Sequence, residues 1–415
     1  MSGIDPARFP SDRACAVAND FNLQNLPSDF YENPYPYYHA LREHAPMKRL
    51  SDGSLFLTRF QDLEHIYRTP RLFSSDKKKE FRPKFGETLI YEHHTTSLVF
   101  NDPPLHTQVR RVLQGALAPK AIAYMEPQLI LLVEGLLDTA QERRQVDLIE
   151  DFASAIPIEV IGNLLGVPHA DRGPLRGWSL QILGALEPVV TPEQVRDASE
   201  AVRQFLDYLE CLIAERRANL RDPEVDVLSR LILGEQNGER LTQQQLMQNC
   251  IFLLNAGHET TTNTIGNALM TLHKYPDERS RLVADPGLIG GAIEEFLRFE
   301  SPNQLGNRAV VEDTEVGGER LAAGTLVTLC IGAANRDPAS FPDPNRFDIG
   351  RRPNRHLAFA SGSHLCLGLN LAKLEVRTAI TKLLARFPNY ALDGEPLHGR
   401  RARFRGYAKL PMRLY

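Results

Sequence analysis

The chain has 415 residues, 42% of them apolar and 24% charged. That profile fits a globular chain long enough to bury a large core, and it excludes disorder, collagen and a coiled coil as its main character. Forty-eight Lys and Arg against 52 Asp and Glu leave a net charge of −4, so no global basic field argues for nucleic acid.

The five cysteines, Cys15, Cys211, Cys250, Cys330 and Cys366, include no C-x-x-C pair and are odd in number. This argues against a disulfide framework and a zinc site, and favours a reducing, cytoplasmic setting. The first thirty residues hold no apolar signal region. The longest uncharged stretch, Leu241 to His258, carries Gln243, Gln244, Gln245, Gln248 and Asn249, so no membrane span is expected.

In chain order, residues 1–33 read as irregular. PYPYYHALREHAP after Asn33 reads as a short helix, with Pro36 near its start. MKRLSDGSLFLTRF reads as a hairpin turning at Asp52-Gly53. Helices are expected at Gln61 to Thr69, Pro104 to Leu117, Ala121 to Gln141 and Pro192 to Leu220. Leu241 to about His273 is the clearest. Thr242 and Gln245 form a capping box, and a helix of this length spans about 50 Å, enough to cross the molecule as its central element. After Pro302 the pattern alternates as short strands, with turns at Gly317-Gly318 and Gly324. An aperiodic Pro/Asp/Arg-rich coil follows. A last helix after Cys366 and a β-like tail close a mainly helical chain with a minor sheet, expected as a single domain over 1–415.

Chemistry concentrates in HLAFASGSHLCLGLNLAKLE, residues 356–375. Gly362 precedes Cys366, and a helix starts just after it. A helix N-terminus offers free N–H groups and a partial positive charge, which lowers a thiol's pKa. That environment suits a nucleophile or an axial ligand to iron; a buried cysteine can equally be a small hydrophobe.

Phe359-x-x-Gly362-x-His364-x-Cys366-x-Gly368 resembles the haem-binding loop of the cytochrome P450 family, with Ala360 where the family has its first glycine. Glu295-Phe-Leu-Arg298 resembles that family's ExxR, and Ala256-Gly257-His258-Glu259-Thr260-Thr261 its oxygen-activation segment. The resemblance runs over nearly the whole chain. It implies the cytochrome P450 fold, with a long central helix over haem b and Cys366 as thiolate ligand to iron. Phe359 would pack near the sulfur, and Gly368, Ala256 and Gly257 would let backbone approach the porphyrin. His106, Arg110, Arg308 and His364 would hold the propionates. Glu259 and Thr260 would form a proton-delivering acid–alcohol pair. Glu295, Arg298 and Arg346 would form a structural triad. His258 reads as a packing or surface residue rather than a ligand.

By position, the resemblance draws the substrate pocket from Phe85, Leu89, Leu98, Val99, Ile182, Leu186, Leu254 and Leu305, which suits a hydrophobic small molecule. The run Lys77-Lys78-Lys79 with Arg82 and Lys84 reads first as a solvated loop, or else as a receiver of a carboxylate or an acidic carrier protein. The length leaves no room for a fused reductase, so a separate ferredoxin or flavodoxin is expected, steered by Arg110, Arg111, Lys373 and Arg377. The implied activity is O2-dependent monooxygenation (hydroxylation or epoxidation) of a hydrophobic small molecule, with a fatty acid and a secondary-metabolite intermediate as candidates. Desaturation or coupling, and action on a carrier-bound substrate, remain alternatives on the same fold. A non-catalytic haem protein fits the intact motifs poorly, and a cysteine-dependent hydrolase lacks a His/Asn partner pattern.

Overall fold

The computed structural model describes residues 8–143, 145–223, 226–233 and 241–415. The chain begins with α1 (Ser11–Asp20), α2 (Ser28–Glu32), α3 (Tyr35–His44), β1 (Met47–Arg49), β2 (Leu55–Leu57), α4 (Phe60–Arg68) and β3 (Phe73–Ser74). Helices then dominate: α5 (Lys78–Phe85), α6 (Leu89–Thr96), α7 (Leu105–Ala116) and α8 (Pro119–Arg143), a short β4 (Gln145–Asp147), and α9 (Ala155–Leu165), α10 (Leu175–Gly184), α11 (Pro192–Ala218) and α12 (Val227–Leu233). The central helix is α13 (Gln243–Lys274), followed by α14 (Pro276–Ala284) and α15 (Ile289–Phe299). Strands β5 (Leu305–Val310), β6 (Thr314–Val316), β7 (Glu319–Leu321) and β8 (Leu326–Cys330) precede α16 (Ile331–Ala334) and α17 (Leu369–Arg386). Strands β9 (Ala391–Leu392), β10 (Leu397–His398), β11 (Tyr407–Lys409) and β12 (Pro411–Arg413) end the chain.

The expected hairpin forms with Met47 opposite Leu57, and Gly53 takes the left-handed φ of +81° its turn requires. It extends into a five-stranded sheet ordered β1-β2-β8-β5-β3, in which β2 and β8 run parallel and the other pairs antiparallel.

The N-terminal segment departs from expectation. Residues 11–20 are helical and pack on α3 through Ala14 and Ala18. Two small residues one turn apart make a narrow apolar stripe in a charged stretch, and no side chain caps the helix, so little in the sequence marks it.

α13 begins at the expected capping box. The Gln245 backbone N–H donates to Thr242 Oγ1 (3.1 Å) and the Thr242 N–H to Gln245 Oε1 (2.9 Å). It packs against α9, α10, α11 and α17, so it is buried around most of its circumference, and its polar residues find internal partners. Asn249 donates to the Gln245 carbonyl (2.8 Å) and accepts from the Leu98 N–H (3.1 Å); Asn267 donates to the Arg405 carbonyl (3.0 Å). Among the described residues, no single helix is long and apolar enough to cross a membrane.

Candidate active site

A deep cavity lies between α13 and the loop that leads into α17. Ala256, Gly257, Thr260, Thr261 and Thr264 line it from the central helix, and Phe359, Ala360, His364, Cys366 and Gly368 from the loop. The loop owes its shape to backbone constraints. Gly362 has φ +69°, and a Cβ there would collide with the Tyr67 carbonyl, so only glycine fits. Ala360 also takes a left-handed φ, +57°, where the family motif has glycine. The Cys366 N–H donates to the Phe359 carbonyl (2.9 Å), and Gly368 is the residue preceding α17.

The helix-terminus argument for a depressed thiol pKa is outweighed. Burial pushes the Cys366 thiol up; the Gly368 N–H and Arg110 only pull it part of the way back. Among the described residues, no cluster of three or more His, Cys, Asp or Glu could hold a metal ion, so a metal here needs ligands beyond the protein.

The polar groups beside the loop fit a porphyrin with two carboxylates. Arg308 is buried and donates to the Asn307 carbonyl (2.7 Å), with its guanidinium 5.2 Å from the Tyr67 ring centre and no carboxylate bonded to it among the described residues. His106 is buried, its Nε2 lacks a hydrogen-bond partner, and its ring lies 4.1 Å from that of His364. Arg110 donates to the Leu365 carbonyl (2.9 Å) beside them. Burial, with Arg308, His106 and Arg110 nearby, pushes His364 down to about 2. Converging cations and an unpartnered imidazole nitrogen are costly alone and are what anionic oxygens would satisfy. At Gly368 a Cβ would meet no protein atom within 4 Å, which leaves space on that wall. At Gly257 a Cβ would lie 2.8 Å from Cδ1 of Ile161, which also lines the cavity, so its smallness serves packing of α13 on α9 at the cavity wall.

The acid–alcohol pair is split by the helix. Thr260 faces the cavity, its Oγ1 donating to the Ala256 carbonyl (2.8 Å) one turn earlier. Glu259 does not line the cavity. It is buried against Arg401, which donates to both its oxygens (2.6 and 2.7 Å) and to the Leu180 carbonyl (2.9 Å). Burial outweighs that pairing and pushes Glu259 up to about 7. His258 packs as expected, its Nδ1 3.3 Å from Ser179 Oγ.

The structural triad forms with a different third member. Arg298 and Glu295 are fully buried and joined by two hydrogen bonds of 2.8 Å. The second arginine on Glu295 is Arg351 (3.2 Å); Arg346 is exposed and contributes only its carbonyl, which accepts from Arg298 (3.3 Å). FPDPNRF places Arg346 correctly along the coil, but its backbone, not its side chain, faces the ion pair.

Of the expected pocket residues, Leu98, Val99, Leu186 and Leu305 line the cavity, whereas Phe85, Leu89, Ile182 and Leu254 do not. Phe81, Leu183 and Leu253 line it as well. Leu253 and Leu254 are adjacent on α13 and diverge by about 100°, so that one-residue choice sends a side chain into the core instead. His93, His94, Asn255 and Arg403 also line it. Lys77 lines it too and is buried, so the lysine run is not simply a solvated loop.

The proximal basic patch is largely paired. Lys373 meets Glu294 (2.5 Å) and Arg377 meets Glu126 (2.6 Å).

Comparison with known proteins agrees with this geometry. The cytochrome P450 family model matches residues 180–285 and 288–396. The chain is 34% identical over 393 residues to the "Biotin biosynthesis cytochrome P450" of Bacillus subtilis, covering 93% of this chain and 97% of that protein. It is 35% identical to the "Vitamin D(3) 25-hydroxylase" of Pseudonocardia autotrophica, covering 92% of this chain and 94% of that protein. Among solved structures, P450BioI in complex with hexadec-9Z-enoic acid ligated acyl carrier protein superposes with a TM-score of 0.87 at 32% identity, over 94% of this chain and 100% of that one. CalO2 superposes with a TM-score of 0.88 at 30% identity, over 95% of this chain and 98% of that one. With a cysteine loop and a threonine-bearing central helix enclosing one cavity, the chain belongs to the cytochrome P450 family and is a haem-thiolate monooxygenase whose cofactor is haem b.

Proposed function

We propose that Cys366 is the iron ligand, that His106, Arg110, Arg308 and His364 hold the haem propionates, and that one oxygen atom of O2 enters an apolar substrate lying against Leu98, Val99, Leu186 and Leu305. The observation that carries this reading is that Cys366, Thr260 and the propionate donors line one cavity. Bound haem b supplies the redox and oxygen chemistry. The chain's own residues position and protonate. Thr260 keeps hydroxyl lone pairs on the cavity side while its proton is engaged by the Ala256 carbonyl. Glu259, titrating near neutrality next to it, is the proton store. The apolar wall excludes water and holds the substrate by area rather than by direction. Electrons come from a separate ferredoxin or flavodoxin, docking over α7 and α17.

The ferrous–CO complex of the holoenzyme is expected to absorb at about 450 nm, and Cys366→Ser is expected to lose that band. A wild-type band at about 420 nm would remove Cys366 from the ligand position. Thr260→Ala is expected to divert electrons from product to peroxide; unchanged coupling would remove its role.

A further inference from the structure

The cavity carries more positive charge than the haem needs. Among the described residues, its charged lining is Lys77, Arg110, Arg308, Lys373 and Arg403 against one carboxyl, Glu375. Glu375 is buried, its Oε2 has no partner, and burial holds it well above the carboxylate range, so it is neutral. Lys373 is matched by Glu294. Two propionates match Arg110 and Arg308. Lys77 is matched by Glu80 outside the cavity lining, so Arg403 remains.

Arg403 is pre-positioned. Its Nε donates to the Leu186 carbonyl (2.9 Å), one terminal nitrogen to the Leu305 carbonyl (2.8 Å) and the other to Asn307 Oδ1, so the end of α10, β5 and the loop before β11 all hold it. All three acceptors are neutral. The nearby carboxylate of Glu187 is turned to the backbone instead, accepting from the Ala402 N–H (2.8 Å) and the Arg403 N–H (3.1 Å). The guanidinium therefore keeps its charge and two of its five N–H groups. Lys77 is 2% exposed, with Glu80 at 2.6 Å behind it; Glu80 does not line the cavity. His94 is 2% exposed, lies within the electrostatic reach of Arg403, and has an Nε2 without a partner. An unpartnered imidazole nitrogen buried on a cavity wall is the kind of group that a ligand satisfies.

We propose that Arg403, Lys77 and His94 form an anion subsite that takes a free carboxylate of the substrate, at the end of the cavity built by α5, α6, the end of α10 and the loop before β11. This rests on the monooxygenase reading and narrows its substrate to an apolar acid. It also selects against a carrier-tethered acyl group, whose carboxyl carbon is consumed in a thioester and brings no charge.

The test is binding to the holoenzyme of matched acid and alcohol pairs on alkyl, aryl and terpenoid skeletons, followed by displacement of the haem Soret band and by calorimetry. In the pairs that bind, the acid is expected to be about tenfold tighter than the alcohol. Arg403→Gln and Lys77→Met are each expected to weaken the acid by about tenfold and the alcohol by less than about twofold. Lys77→Met breaks no tie between elements and carries the test if Arg403→Gln fails to fold. Equal binding of acid and alcohol, equal weakening of both by Lys77→Met, or an acid panel that leaves the band unmoved would each overturn the subsite. Substitutions that strip haem without changing the acid preference would reassign Lys77 and Arg403 to the propionates, which also overturns it. The ferrous–CO band of each variant separates these results from a failure of the haem-thiolate reading itself.

Discussion

Glu259 and Thr260 are neighbours in sequence and face different surroundings, since consecutive helical side chains diverge by about 100°. The carboxyl is buried and titrates at about 7, so it is partly protonated at neutral pH. A step that draws its proton should slow as pH rises through that value. Glu259→Gln is expected to flatten the profile of coupled product formation between about pH 6 and 8. The linkage to stability has the same sign. A folded pKa above the ordinary carboxylate value means the native state holds the proton more tightly. The group's contribution is full below the ordinary value and is lost as pH rises to about 7. The thermal midpoint of the wild type should therefore fall relative to Glu259→Gln across that window. Ala360 offers a simpler case. An L-residue in the left-handed region costs about 1–2 kcal/mol, and glycine's greater unfolded freedom returns about 0.4–1 of that. Ala360→Gly is expected to stabilise the holoenzyme by about 1 kcal/mol, read as a higher denaturant midpoint. Here the motif in the sequence identified the odd residue, and the backbone angle explains why it is odd. The pocket residues were less legible. Choosing Leu254 over Leu253 is an error of helix phase, which a run of consecutive apolar residues does not resolve.

Between α15 and the coil before the cysteine loop, one ion pair organises a stretch of chain without regular structure. Arg298 donates to Glu295 and to the carbonyls of Asn335 and Pro344 (both 2.9 Å), while the Asp348 N–H (3.0 Å), Arg351 and Asn354 (3.1 Å) donate to Glu295. An aperiodic coil can hold one conformation when a buried charge pair accounts for its backbone polar groups. Breaking such a pair by truncating one partner costs about 3–5 kcal/mol. Arg298→Ala is expected to give protein that fails to retain haem, read as a lost Soret-to-protein absorbance ratio. Arg351→Ala should cost about 1–3 kcal/mol, since it removes a charge-assisted hydrogen bond, and Arg346→Ala less than about 0.5 kcal/mol because its side chain is exposed. The ExxR spacing made the pair itself legible, because i and i+3 share a helix face. The third partner arrives from a coil whose path no periodicity specifies. α1 was illegible for a related reason: its burial is decided by α3 and the aromatic cluster around Phe21, Phe30 and Phe56, not by its own pattern.

Across the whole molecule, the length of α13 and the strand-rich segment after Pro302 were readable, because long periodic elements dominate local noise. The distribution of surface charge was not, because sequence lists charges without their partners. The arginines and lysines of α17 do not form an open positive field. Arg377 pairs with Glu126, Lys382 with Glu134 (2.8 Å) and Arg386 with Asp138 (2.5 Å), which fastens α17 to α8. Each pair is exposed and contributes about 0–1 kcal/mol to stability, but together they bring the net charge of this face towards zero. Long-range steering responds to net charge, so removing one arginine from a balanced face leaves it net negative and removing its acidic partner leaves it net positive, with effects of opposite sign. Arg377→Gln is expected to lower the rate of reduction by an acidic ferredoxin about two- to fivefold at low ionic strength, while Glu126→Gln should raise it by a similar factor. The gain should vanish at about 0.5 M salt, where the screening length is shorter than the gap between approaching surfaces. Stopped-flow reduction under CO at the two salt concentrations measures both. A Glu126→Gln rate equal to wild type at low salt would place the docking of the electron donor away from α17.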